Sequence, residues 1–195
     1  DGITEEQRES ERIYTWDLSE VPQGKVTLRI YMESTEERYA DYRLVIDLLD
    51  LARFDAGTME LDRKALNLNL LLNHVVNQLI PQAAASRIEI RLAIDPLPTC
   101  VGDEDRLVQV FTNLLDNGIK HTPEGGFIQI RAAVESGMAR IDVIDSGQGI
   151  APEHLNRIFE RFYKVDGSRK DQAKPNTGLG LAIAQQIIIA HGGSL

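Results

Sequence analysis

The reading of this chain turns on residues 103–122, DEDRLVQVFTNLLDNGIKHT. Leu107, Val110, Phe111, Leu114 and Leu115 recur at the three- and four-residue spacing of one broad helix face. Asp103, Glu104 and Asp105 precede them, where the positive end of a helix dipole favours carboxylates, so this acidic run reads as a helix start and not as a metal site. The other side of the helix carries Asn113, Asn117, Lys120 and His121. An asparagine inside a helix costs roughly half a kcal/mol relative to alanine because its amide competes for backbone hydrogen bonds. Two of them four residues apart therefore ask for a reason other than helix stability. A solvated polar face is one reason. The other is a site where amide oxygens take a hard divalent cation such as Mg²⁺ and Lys120 meets phosphate as a point charge.

Outward from this helix the patterns alternate. LNLLLNHVVNQLIPQAAASR (68–87) reads as a helix, and IEIRLAID (88–95) alternates as a strand. A further strand is expected within TMELDRKALN (58–67). Downstream, GFIQIRAAVESGMARIDVID (126–145) reads as two strands joined at Ser136-Gly137. PEHLNRIFERF (152–162) reads as a short helix opened by proline, and LGLAIAQQIIIAH (179–191) as an apolar helix stopped by Gly192-Gly193. Between them, YKVDGSRKDQAKPN (163–176) has almost no apolar content and is expected to form a loop. Upstream, a helical period from about Glu36 places Leu44, Leu48 and Leu51 on one stripe until Asp55-Ala56-Gly57 ends it. Residues 1–14 are polar, and VTLRIYM (26–32) alternates like a short strand. Helices mixed with hairpins indicate an α+β class with an antiparallel or mixed sheet covered on one face.

Two further clusters carry chemistry. DSGQGI (145–150) ends an apolar strand, which sets the Asp145 carboxylate at the mouth of the sheet, and Gly147 and Gly149 permit close approach or positive φ. A carboxylate there can accept a hydrogen bond from an exocyclic amine, although a plain tight turn accounts for the same residues. In NTGLGLAIAQQ (176–186), Gly178 and Gly180 stand before a helix, where backbone N–H groups can wrap a phosphate. The pattern is neither a Walker loop nor a dinucleotide fingerprint. His74, His154 and His191 lack ligand-spaced neighbours and read as surface or packing residues.

A net charge of −9 argues against binding the phosphate backbone of nucleic acids, so no nucleic-acid partner is expected. One cysteine, Cys100, supports no internal disulfide. There is no apolar run of membrane-spanning length, and the acidic first residues do not resemble a secretory signal. A cytoplasmic location is expected, either free or as the cytosolic part of a membrane-bound sensor.

Taken in order, NLLDNGIKHT, DSGQGI, RIFERFYKVD and TGLGLAI resemble the N, G1, F and G2 boxes of sensor histidine kinases, within the ATP-binding superfamily that includes gyrase, heat-shock chaperone and mismatch-repair ATPases. The match runs from about Asp62 to Leu195. The resemblance implies an α+β, two-layer α/β sandwich with a mixed, mostly antiparallel sheet of the Bergerat type, preceded by a helical dimerisation segment. It divides the chain into residues 1–60, part of that segment, and residues 61–195, the catalytic domain, which the family continues into further strands. An insert around residues 15–34 interrupts the segment, and the resemblance gives no account of it.

The implied cofactors are ATP and Mg²⁺, and the implied activity is transfer of a phosphoryl group to a histidine. The resemblance makes Asn117 the Mg²⁺ ligand and gives catalytic roles to Asn113, Lys120 and Lys164. It assigns nucleotide contacts to Asn117, His121, Asp145, Gly147, Gly149, Ile150, Thr177, Gly178, Leu179 and Gly180. Gly178 and Gly180 would hinge a lid, residues 163–177, over the phosphates. Lys164 stands where the family often has arginine, which supplies charge without a bidentate fork, and Asn176 replaces a frequent glycine. The helix carrying Leu44, Leu48 and Leu51 resembles the second helix of a dimerisation hairpin, implying a homodimer, and the pathway implies a response regulator as partner. None of the four histidines fits the family's phospho-acceptor box.

Overall fold

A computed structural model describes residues 36–165 and 177–195, with side chains described from residue 46 onward in the first helix. The expected strand at 26–32, the interruption at 15–34, Asn176, most of the loop 163–177 and the side chain of Leu44 lie outside these residues. Helix α1 spans Glu36–Asp55, and the chain turns at Gly57, φ +62°. Strand β1 is Lys64–Leu66 and helix α2 is Leu68–Ala85, its first turn capped by Asn67, whose side chain accepts from Leu70 N at 3.2 Å. Then come β2 (Glu89–Ile94), β3 (Cys100–Gly102), α3 (Glu104–His121), β4 (Phe127–Glu135), β5 (Met138–Asp145), a single turn α4 (Pro152–Leu155) and α5 (Gly180–Ala190).

Strands β2, β4 and β5 form one sheet in that order, β2 and β4 parallel, β4 and β5 an antiparallel hairpin. Ser136 and Gly137 both hold positive φ, the geometry of a two-residue hairpin whose turn matches the twist of its strands. β1 and β3 make a separate antiparallel ribbon. Along β4, Ile128, Ile130 and Ala132 are buried while the residues between them are not, so one face of the sheet is covered. The cover is α2 and α3, through Leu72, Val75, Leu115 and Ile119 among others. This is the mixed α+β layer arrangement the pattern predicts.

A second apolar cluster gathers Leu51 of α1, Val110 of α3, and Leu179, Ile183, Ala184 and Ile187 of α5. Helix α3 serves both clusters, which ties the position of its polar face to two packed layers. Each fully buried aliphatic side chain in them contributes roughly 1.5–3 kcal/mol relative to exposure.

Two expectations are corrected. The strand expected within 58–67 shortens to 64–66, and its partner β3 follows a Pro-Leu-Pro run and is too short to show a period. The helix expected over 152–162 keeps one turn, because the chain then folds back to set the Phe162 N–H on Gly178 O at 2.9 Å, with Phe162 at φ +61°. The leucine stripe of α1 divides: Leu51 is buried inside the chain, whereas Leu48 is 43% exposed. An amphipathic period shows that a stripe will be covered but not by what.

Candidate functional site

Asp103 fixes the start of α3. Its carboxylate accepts from Arg106 N (3.1 Å) and from Asp62 N (2.9 Å), and its own N–H donates to His191 Nε2 (3.0 Å). His191 is thus a packing residue joining α5 to the base of α3, with Nδ1 2.8 Å from Ile187 O. That register turns the face bearing Asn113, Asn117 and Lys120 toward the start of α5. Asn113 is buried and donates from Nδ2 to Gly180 O at 3.1 Å. Asn117, one turn on, is half-buried, and its amide makes no hydrogen bond among the described residues. Helix α5 begins at Gly180 without a side-chain cap, and Thr177 Oγ1 accepts from Leu179 N at 3.3 Å. An uncapped helix start holds N–H donors that an anion can take.

The far end of α3 meets the end of β5. A Cβ on Gly147 would stand 2.5 Å from His121 O and 2.6 Å from Asp145 Oδ1, so this crossing admits only glycine. The exposed Asp145 carboxylate accepts from Gly147 N at 2.9 Å, which fixes its orientation. Gly178 holds φ +70° with the Phe162 carbonyl carbon 2.9 Å from a would-be Cβ, so the turn into α5 also requires glycine. Gly180 is therefore brought to Asn113 at the middle of α3, and Asp145 and Gly147 to its C-terminal end at His121. Gly149 lies at φ +72° beside the exposed Ile150, and Lys164 is exposed at the edge of the described residues.

Among the described residues no three His, Cys, Asp or Glu side chains group in a metal-holding arrangement. The donor that fits Mg²⁺ is the Asn117 amide oxygen, a hard neutral ligand suited to an ion that keeps several waters and takes the rest of its shell from phosphates.

Several participants are not visible in the sequence. Asp116 accepts from Lys120 Nζ (3.2 Å) and from Gln82 Nε2 (2.8 Å) of α2. Thr122 Oγ1, directly after α3, is buried with no partner. His154 Nδ1 lies 2.6 Å from Tyr163 OH, and the Arg157 guanidinium stands 4.2 Å over the Tyr163 ring. Two ion pairs tie helix α1 to the rest of the chain. Buried Asp50 accepts from Arg106 Nη1 at 2.7 Å and Gln109 Nε2 at 2.9 Å, and exposed Asp55 pairs with Arg161 at 2.5 and 2.6 Å. The hydrogen bonds from Arg161 hold the Asp55 carboxyl below the usual carboxylate range.

A cleft of about 530 Å³ opens at the other end of α3, lined by residues including Asp50, Asp62, Asp103, Arg106 and Gln109. None of the sequence-predicted nucleotide residues borders it, and of its carboxylates Asp50, Asp62 and Asp103 accept from groups of the chain itself.

Residues 102–195 match the family described as histidine kinase-, DNA gyrase B-, and HSP90-like ATPase. Over 153 residues, 78% of this chain, it is 35% identical to the signal transduction histidine-protein kinase BaeS of Escherichia coli (strain K12), and 37% identical to the sensor protein SrrB of Staphylococcus aureus (strain MRSA252). The chain spans 32% of the first relative and 26% of the second. It is also similar to full-length ShkA crystallised in complex with AMPPNP, with a TM-score of 0.67 and 33% identity, across 84% of this chain and 35% of that one. No helix among the described residues is long and apolar enough to cross a membrane.

Proposed function

We propose that this chain, which contains the ATP-binding catalytic region of a sensor histidine kinase, transfers the γ-phosphoryl group of Mg²⁺-bound ATP to a histidine imidazole on a protein partner. The bond from the γ-phosphorus to the bridging oxygen breaks, a phosphorus–nitrogen bond forms, and ADP leaves. Such transfer depends on positioning and charge neutralisation more than on covalent help from the protein.

The observation that carries this reading is the Asn113–Gly180 hydrogen bond, which lays the uncapped start of α5 against the polar face of α3. In this reading the N–H groups around Leu179 and Gly180 receive phosphate oxygens, and Lys120 supplies positive charge. Asp145 accepts from the adenine amine while Gly147, Gly149 and Ile150 line the base pocket, and His121, Thr177, Gly178 and Lys164 complete the contacts. Asn117 would hold the metal, whose charge offsets that of the phosphates when bound. Asn113 stands where hydrolytic relatives generally carry a glutamate base. An amide takes no proton at neutral pH, so this position favours transfer to a protein over attack by water.

Residues 61–195 act as the catalytic unit in this reading, and residues 1–60 contribute to a helical dimerisation segment. The phosphoryl group passes on to a response regulator, and the chain works in the cytosol, with room for a membrane sensor upstream. Calorimetry with AMPPNP, with and without Mg²⁺, tests the site. Micromolar, metal-dependent binding is expected, and absence of binding overturns the reading. Incubation with radiolabelled ATP and a histidine-bearing dimerisation domain tests the transfer, which fails if that domain stays unlabelled.

A further inference from the structure

Lys120 does not project freely from the last turn of α3. Its ammonium lies 3.2 Å from Asp116 Oδ2, one turn back on the same helix. By itself such a pair is an ordinary surface contact. What sets it apart is the second oxygen. Asp116 Oδ1 accepts from Gln82 Nε2 at 2.8 Å, and Gln82 belongs to α2, which packs beside α3 in the main core. Asp116 and Gln82 are both half-buried. The carboxylate is thus anchored by a donor from a different helix, and its plane is set before it meets the lysine.

We infer that Asp116 is a positioning residue for nucleotide binding, which, held by Gln82, keeps the Lys120 ammonium at one place on the helix face where phosphate arrives. The inference rests on the reading of Lys120 as a phosphate contact and adds to it a cause for the lysine's placement. An ammonium has three donors, and the bond to Asp116 takes one of them. Two remain for phosphate oxygens. A lysine on a flexible four-carbon stem loses conformational freedom when it closes on a ligand, and a tethered one has less to lose. In the order Asp then Lys, the i,i+4 pair also agrees with the helix dipole, so the tether adds no conflict with the helix.

The test is a double-mutant cycle on the 195-residue chain, read as the affinity for Mg²⁺–AMPPNP by calorimetry. Asp116→Asn keeps shape and keeps an oxygen for Gln82, but turns an NH₂ toward an ammonium that cannot accept. We expect affinity to fall about tenfold. In the Lys120→Met background the same substitution should change affinity by less than about twofold, because nothing remains to position. Gln82→Leu should show a smaller loss, also confined to chains that keep Lys120, and it carries the test if Asp116→Asn fails to fold.

A loss of equal size with and without Lys120 would mean that Asp116 acts through the fold, and the inference falls. Tighter binding by Asp116→Asn would mean that the carboxylate competes with phosphate, and the inference falls again. If Lys120→Met alone leaves affinity unchanged, the phosphate role of Lys120 fails and positioning fails with it. If Lys120→Met weakens binding while Asp116→Asn does not, only the positioning role is lost.

Discussion

The two ends of α3 treat their polar groups in opposite ways. At the N-terminal end Asp103 answers the backbone of Arg106 and Asp62, and its own N–H is answered by His191, so the network closes within the chain. At the C-terminal end the Asn117 amide has no partner among the described residues, the Thr122 hydroxyl is buried without one, and the Asp145 carboxylate stands exposed. A buried polar group left unanswered costs on the order of 1–3 kcal/mol, a cost that falls on Thr122 at the C-terminal end and on no group of the Asp103 network. In the proposed reading the same helix has a structural end and a binding end.

That division makes each end separable by substitution. The largest effect is expected from Asn117→Ala, with a loss of Mg²⁺-dependent AMPPNP affinity on the order of 100-fold, about 2.7 kcal/mol. Its unfolding midpoint without nucleotide should hold or rise slightly, since alanine is the better helix former. A loss of stability in place of affinity would erase the distinction between the ends.

Asp103→Ala should do the reverse. Urea denaturation should show about 1–3 kcal/mol less stability, because a cap and a second backbone donor lose their acceptor, while the folded fraction binds nucleotide as before. Thr122→Val sharpens the comparison at smaller scale. Removal of an unpartnered buried hydroxyl should stabilise the nucleotide-free chain by about 0.5–1 kcal/mol, and destabilisation would mean that the hydroxyl is answered after all.

The smallest effect belongs to Asp55→Asn, an exposed pair away from either end. Because Arg161 lowers the Asp55 pKa in the folded chain, the pair's contribution is present above the unfolded value near 4 and disappears as pH falls through the lowered folded value. The melting temperatures of the variant and the parent chain should therefore differ slightly at neutral pH and converge in acid, with added salt narrowing the gap.

How much of this is legible in the sequence follows from the range over which each signal acts. The period of 103–122 locates α3, and its acidic start locates the cap, because both are local. DSGQGI is legible as a close turn since glycine and a strand end lie side by side, and the structure supplies the crossing of His121 over Gly147 that makes the glycine necessary. The Asp116–Gln82 bond spans 34 residues between two helices with no pattern linking them, so only the packing of α2 on α3 reveals it. Leu51 is the opposite case. Its stripe is plain in the sequence, but whether a second chain or α5 covers it depends on tertiary contacts that a period does not encode.

That contact has a thermodynamic consequence. Leu51 of α1 packs in the same cluster as Leu179 and Ile183, and Leu179 immediately precedes the glycine that opens α5. The seat of α1 and the proposed phosphate-receiving turn share one apolar cluster, so in the proposed reading each can bias the other. Whatever factor nucleotide applies to the docking of α1, the docking of α1 must apply to nucleotide affinity by the same factor. If nucleotide binds at that turn, a displacement of the helix and the occupancy of the phosphates become two readings of one equilibrium.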